Sequence, residues 1–342
     1  MKQLIIKNPY NVMFEEVPVP IPRPNELLVK TEVSGVSAGT EMTLYRGTHP
    51  NFITKKWGYW TDYPIYPGYE VVGTVESIGS EVTNFQPGDR VVGCGIHAEK
   101  VLIPANYAVK LPEQISSEEG LLAILGTTTM HAIHRSSIKY GDSIAIIGLG
   151  VVGMLTLLHS KLAGAGRVIA IDLNQKRLSI AASFGVTAVI NAQEEDFYSK
   201  VEKATEGGPD IVIEATGASE AIITATRIAR PRGLVVVLGY HVKPVELLFG
   251  DDLYHKELDI HFSKAMGPHP SLPQPNAQWG GWIPARWTVD QTLKQVVGFM
   301  AEGKFDIKPL ITHHFNCEEL PDIFRKIDKG EMEEALQIVL KW

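Results

Sequence analysis

The run "SIAIIGLGVVGMLTLLHS", Ser143 to Ser160, constrains this 342-residue chain more than any other. An apolar strand without a polar face needs cover on both sides, which a parallel sheet with helices on its faces supplies. The same alternation continues through "RVIAID", a helix "NQKRLSIAASFG", "AVIN" and a helix around "EEDFYSKVEKATEG". It ends with "PDIVIEATG", a helix "SEAIITATRIAR" and "GLVVVLG". Strands alternating with helices of about ten residues predict a doubly wound parallel sheet.

The turn inside the opening run is "GLGVVG", Gly148 to Gly153. Strand, glycine turn, helix, second strand and a closing acid, Asp172, stand at the intervals of a dinucleotide-binding fingerprint. Gly148 allows the turn, Gly150 admits a pyrophosphate close to the backbone, and Gly153 lets helix and strand pack. Val151 and Val152 open the helix, whose first N–H groups suit an anion. Asp172 would accept from the ribose hydroxyls and repel a 2′-phosphate, so the expected cofactor is NAD. Lys176 and Arg177 could reach such a phosphate and work against that preference. Thr216 and Gly239, just past two later strands, complete the expected cofactor set. The bland alternative is a tight turn with Asp172 capping the next helix.

Single cores stop growing near ~250–300 residues, so this length calls for more than one domain. The first third holds short runs rich in Val, Thr, Pro and Gly, such as "ELLVKTEVSGV" and "EVVGTVESIG", and predicts a mostly β domain. The expected division is 1–124, 125–265 and a C-terminal return, 266–342, carrying a Pro- and Trp-rich loop. A net charge of -7 without a basic run excludes a general nucleic-acid binder. No stretch reaches the ~20 apolar residues of a membrane span. Two cysteines make no disulfide framework. A start without signal-peptide features adds the expectation of a cytoplasmic protein.

With "ELLVKTEVSGVSAGTE", "YPGYEVVGTVESIGSEVTNFQPGDRVVG", "AEKVLIPANYAVKLP" and "DSIAIIGLGVVG" in this order, the chain resembles the medium-chain dehydrogenases/reductases over nearly its whole length. The resemblance implies a GroES-like catalytic domain beside a Rossmann cofactor domain, an α/β architecture. "GVSAGTE", "YRG" and "YPGYEVVG" are further similar to bacteriochlorophyllide a dehydrogenases. That likeness stops at the amino-terminal motifs and the cofactor domain, so no tetrapyrrole substrate is carried over.

Zinc-dependent members of the family hold a catalytic metal at three positions, which fall here on Ser37, Tyr69 and apolar "LLAIL", near Ala123. Zinc takes three nitrogen, sulfur or carboxylate ligands and an open position. The expectation is therefore a zinc-free branch and no metal, with Glu41, Glu70, His97 and His131 weighed as replacement ligands.

The remaining chemistry falls to Tyr69, Ser37, Thr40, His49, Glu70 and Thr127, with Glu41, Tyr45 and His97 beside them. Tyr69 leads, either as donor or base at the vacated position or as mere filler, since a phenol needs a nearby cation to act as a base. The resemblance places Thr127 beside the nicotinamide, unless it only caps a helix. Arg46 either orients substrate or sits on the surface. Trp279, Trp282 and Trp287 form a substrate wall or a packing loop.

The expected activity is zinc-independent, NAD-linked oxidation of a secondary alcohol in a sugar, cyclitol or bulky hydroxyalkyl compound. The alternatives are a quinone or enoyl reductase and a non-catalytic dinucleotide-binding protein. Expected partners are a small-molecule substrate and further copies of the chain, as homodimer or homotetramer.

Overall fold

The computed structural model describes residues 1–55, 59–267 and 287–342. The chain divides into two compact units, Met1–Ile124 with Leu293–Trp342, and Leu125–Thr292. It re-enters the first unit at Leu293, later than the expected 266.

The first unit begins with the hairpin β1 (Lys2–Asn8) and β2 (Asn11–Glu16), followed by β3 (Glu26–Val36) and α1 (Ala38–Arg46). Then come the short α2 (Asn51–Thr54), β4 (Val71–Ile78), β5 (Arg90–Gly93), β6 (Lys100–Pro104) and β7 (Ala108–Lys110). Helix α3 (Ser117–Ser136) runs through the division point.

In the second unit, β8 (Ser143–Ile147), β9 (Arg167–Asp172), β10 (Ala188–Asn191), β11 (Ile211–Glu214), β12 (Leu234–Val237) and β13 (Asp259–Phe262) alternate with helices. These are α4 (Val151–Leu162), α5 (Gln175–Ser183), α6 (Phe197–Thr205) and α7 (Ser219–Ile228). The returning segment supplies α8 (Val289–Ala301), β14 (Ile311–Asn316), α9 (Leu320–Asp328) and β15 (Gln337–Lys341).

The second unit's sheet is parallel in the order β10-β9-β8-β11-β12-β13. That is the doubly wound arrangement, whose order reverses between β8 and β11, and ligands bind outside the carboxyl ends of strands at such a reversal. Every residue of β8 and β11 is buried, as the unbroken apolar runs require. The loops carrying Gly148, Asp172, Thr216 and Gly239 all follow carboxyl ends of these strands.

In the first unit, β3 is the hub, pairing antiparallel with β4, β6 and β15. Its eleven residues are nearly all buried, so the last strand of the chain closes onto one of the first. Tyr45 from α1 and Phe324 from α9 meet edge to face at 5.5 Å in the core. Tyr45 is 3% exposed, which makes it a core residue and not the catalytic-site residue expected.

Glycine is dictated at the end of β4. A Cβ on Gly79 would lie 1.9 Å from the Arg23 carbonyl oxygen. Gly79→Ala should therefore cost about 2 kcal/mol or more through forced backbone displacement. Urea denaturation followed by circular dichroism should show a lower midpoint, and an unchanged midpoint would refute the close approach.

Candidate functional site

In the first unit, Ser37 ends the β3 connection and precedes α1, so its backbone N–H needs a partner outside the helix. The Glu41 carboxylate, one turn on, reaches back and accepts it at 3.1 Å. Glu41 Oε2 meets His97 Nε2 at 3.0 Å, and His97 Nδ1 meets the Ser34 hydroxyl at 2.9 Å. The indole N–H of Trp342, the last residue, donates to that hydroxyl at 2.8 Å. Glu41, His97 and Ser34 are 1%, 0% and 0% exposed.

Tyr69 lies beside this chain of contacts. Its hydroxyl donates to Ser37 Oγ and also hydrogen-bonds the Thr40 side chain. Gly68 explains the "PGYE" spelling: it has φ +102°, and a Cβ there would sit 2.6 Å from His97 N. Only glycine lets the turn press against His97 while presenting Tyr69.

Electrostatics decide what Tyr69 can be. Burial and then the negative charges of Glu70 and Glu41 push its hydroxyl well above the ordinary phenol range. The base role is thereby disfavoured, because the charges that act on the phenol are carboxylates and not the cation a phenolate needs. Tyr69 is a hydrogen-bond donor.

Glu70 is buried, and its Oε2 accepts from Gln337 Nε2 at 3.1 Å, while Oε1 has no partner. Burial, and secondarily the Glu41 charge, raise its pKa from 4.5 to about 8. Burial, with the Glu70 charge behind it, likewise raises the Cys94 thiol to about 12. Cys94 lines a cavity of about 380 Å³ together with Gly68, Tyr69 and Lys100.

The zinc test is one of donor chemistry. Ser37 and Tyr69 spend their hydroxyls on each other, and Ala123 offers no donor. The replacement set fails too, since Glu41 and His97 commit to one another. His131 packs under Gly267, and burial lowers it to about 4. Among the described residues no group of three His, Cys, Asp or Glu could hold a metal ion. Among the described residues, those at and beside Ser37 and Tyr69 do not fit a catalytic zinc.

Other expected site residues are placed elsewhere. His49 follows the far end of α1, roughly 13 Å of helix away from Ser37 at about 1.5 Å per residue. It meets Trp60 edge-on, and burial lowers the pKa of its ring. Arg46 pairs with Asp328 at 2.6 Å and does not wait for a substrate. Thr127 lies inside α3 and is fully buried, which rules out the capping role. Trp287 stacks on His134 at 4.8 Å, whereas Trp279 and Trp282 lie outside the described residues.

In the second unit the glycine loop has the shape its fingerprint demands. Gly148 has φ +93°, and a Cβ on Gly153 would lie 1.8 Å from the Gly148 carbonyl oxygen. Above Gly150 there is open space, and no side chain caps α4. The uncapped first turn, Val151 to Gly153, fits a diphosphate.

Asp172 binds the loop itself, accepting from Leu149 N at 2.6 Å and Asn174 N at 2.8 Å. The cap of α5 is Asn174, which takes the N–H groups of Lys176 and Arg177. Asp172 is therefore free of the capping role proposed as its alternative.

The sequence reading missed Glu214. This fully buried acid at the end of β11 accepts from Thr216 N at 2.6 Å, Gly217 N at 2.8 Å and the Thr216 hydroxyl. Its second oxygen meets His241 Nε2 at 2.9 Å. One carboxylate thus ties together the two loops that present Thr216 and Gly239. The signal was an acid closing an otherwise apolar strand, "IVIE".

Two family models match the chain: an alcohol dehydrogenase GroES-like domain over residues 23–113 and a zinc-binding dehydrogenase over residues 151–274. The chain belongs to the alcohol dehydrogenase-like medium-chain dehydrogenases/reductases. It is an oxidoreductase of that type. Human sorbitol dehydrogenase is 29% identical, with 99% of this chain and 95% of that protein covered. A putative D-xylulose reductase from Agrobacterium fabrum is 28% identical over 93% and 91%. The alcohol dehydrogenase of Thermus sp. ATN1 superposes with a TM-score of 0.80 at 25% identity, covering 100% and 99%.

The raised pKa of Glu70 has a measurable sign. The folded chain keeps a proton that the unfolded chain releases above about pH 4.5, so this group's contribution to stability falls as pH rises from 4.5 to about 8. Glu70→Gln should flatten that fall. Melting temperatures at pH 5 and pH 9 should converge in the variant relative to the native protein, and parallel curves would contradict the assignment.

Proposed function

We propose that this chain is a zinc-independent, NAD-dependent dehydrogenase that interconverts a secondary alcohol of a polyol and the corresponding ketone. The observation that carries the reading is the hydrogen bond between Tyr69 and Ser37, the two residues at the family's metal-ligand positions. The sorbitol dehydrogenases and xylulose reductase among its relatives support a polyol–ketose pair. Ser37 Oγ accepts from the protonated Tyr69 phenol, and the Ser37 hydroxyl hydrogen, with the Thr40 hydroxyl beside it, serves a reacting oxygen as a neutral donor.

NAD, when bound, supplies the hydride acceptor. The α4 amino terminus would hold its diphosphate, with Asp172 on the adenosine ribose and Thr216 and Gly239 at the strand ends. The free thiols Cys94 and Cys317 support a reducing, cytoplasmic setting. Among the described residues no helix is long and apolar enough to cross a membrane. Self-association as dimer or tetramer belongs to the same reading.

Three measurements test it. Purified protein should carry less than roughly 0.2 zinc per chain and keep its activity in strong chelator, as loss of the ligand set requires; a stoichiometric metal would sink the proposal. NADH should bind at least about tenfold more tightly than NADPH in fluorescence titration, and Asp172→Ala should narrow the gap. Tyr69→Phe, which keeps the ring and removes the hydroxyl, should lower kcat by roughly 10²-fold with cofactor affinity little changed. Near-native turnover would make Tyr69 a filler of the vacated site.

A further inference from the structure

The buried chain Trp342–Ser34–His97–Glu41 can be assigned proton by proton. The Trp342 indole only donates, so Ser34 Oγ accepts from it. The Ser34 hydroxyl hydrogen then points to its other partner, His97 Nδ1. That nitrogen is therefore the acceptor, and Nε2 carries the ring hydrogen, donated to Glu41 Oε2. Glu41 Oε1 accepts from Ser37 N. Every donor meets an acceptor only if His97 is neutral and Glu41 is an ionised carboxylate. An imidazolium would leave the Ser34 hydroxyl hydrogen without an acceptor.

We propose that Glu41, oriented by His97, is a fixed negative charge that anchors Ser37 and makes the site select uncharged or cationic polyhydroxyl substrates over phosphorylated or carboxylated ones. This deepens the dehydrogenase reading and rests on it for the substrate. His97 is a positioning residue, acting through Glu41. Its backbone is held on both sides, by Leu4 N donating to its carbonyl and by its own N–H donating to Pro67 O. Gly68 packs against its ring.

Among the described residues of the first unit, the groups beside Ser37 leave the charge standing. The Tyr69, Ser37 and Thr40 groups are neutral hydroxyls, and the two cations of interest are already paired. Lys100, which lines the cavity with Tyr69, bridges to Glu76 at 2.7 Å, and Arg46 at the end of α1 bridges to Asp328. The charge is felt locally, since Glu41 raises the pKa of both Tyr69 and Glu70. A charge in a poorly solvated site acts on neighbours far more strongly than in water. A phosphate ester beside Ser37 would meet that field while Lys100 and Arg46 are held by their own carboxylates.

Two independent readouts test the proposal. The first needs no turnover: ring-15N-histidine NMR of the full-length protein, with His97 assigned by His97→Asn. A neutral Nε2–H tautomer, altered by Glu41→Gln, is expected. A doubly protonated ring, or a spectrum indifferent to Glu41→Gln, overturns the anchor. The second compares kcat/KM for galactitol and galactitol-1-phosphate. The native protein should favour the neutral compound at least about tenfold, roughly 1.4 kcal/mol, and Glu41→Gln should shrink that ratio about tenfold. Preference for the phosphate ester, or a ratio unmoved by Glu41→Gln, overturns the selectivity. If both compounds are inert, the polyol reading fails and the imidazole spectrum alone decides the anchor. Should Glu41→Gln not fold, the native ring's tautomer and the native ratio remain decisive.

Discussion

A carboxylate buried without water must find hydrogen-bond donors, and Glu41 sets much of the first unit by that need. It draws on the Ser37 N–H from its own helix and on a histidine more than fifty residues away. That histidine in turn needs Ser34, and Ser34 takes the indole of the last residue. Strand β15 brings Trp342 into place by pairing with β3. The amino-terminal motif, the middle of the catalytic unit and the end of the chain are thereby fixed to one another. Replacing one member of such a network leaves a buried charge or donor unpaired, which costs more than the bond was worth.

The second unit uses acids in the same way at the carboxyl ends of its strands. Asp172 gathers Leu149 and Asn174, and Glu214 gathers Thr216, Gly217 and His241. Backbone N–H groups bonded to a strand-end carboxylate give the loops at this edge their shape. The glycines then allow the close approaches that such wrapping demands. Loop architecture rests on these few side chains, so a substitution at Asp172 disturbs the turn at Leu149 and Asn174.

The parallel sheet was legible because strands covered on both faces must be apolar throughout, and "SIAII", "RVIAI" and "IVI" announce this without ambiguity. The glycine loop was legible because Gly148 and Gly153 are required by backbone geometry that no other residue satisfies. Tyr45 and Arg46 lie on the helix that carries Thr40 and begins after Ser37, and His49 follows it, but helical turning and length place them in the core, against Asp328 and beyond the far end. Glu214 went unnoticed because an acid at a strand end resembles an ordinary loop residue until the depth of burial is known.

The sequence by itself determined the fold class and the glycine loop, because these depend on residue type and local spacing. Only the tertiary structure buried Tyr69 near the charges of Glu70 and Glu41, which raise its hydroxyl and disfavour it as a base. It also decided that Glu41 and His97 serve each other and not a metal. Both facts turn on Glu41, 28 positions from Tyr69 and 56 from His97, and protonation follows from such neighbours and from burial, neither of which a local pattern encodes.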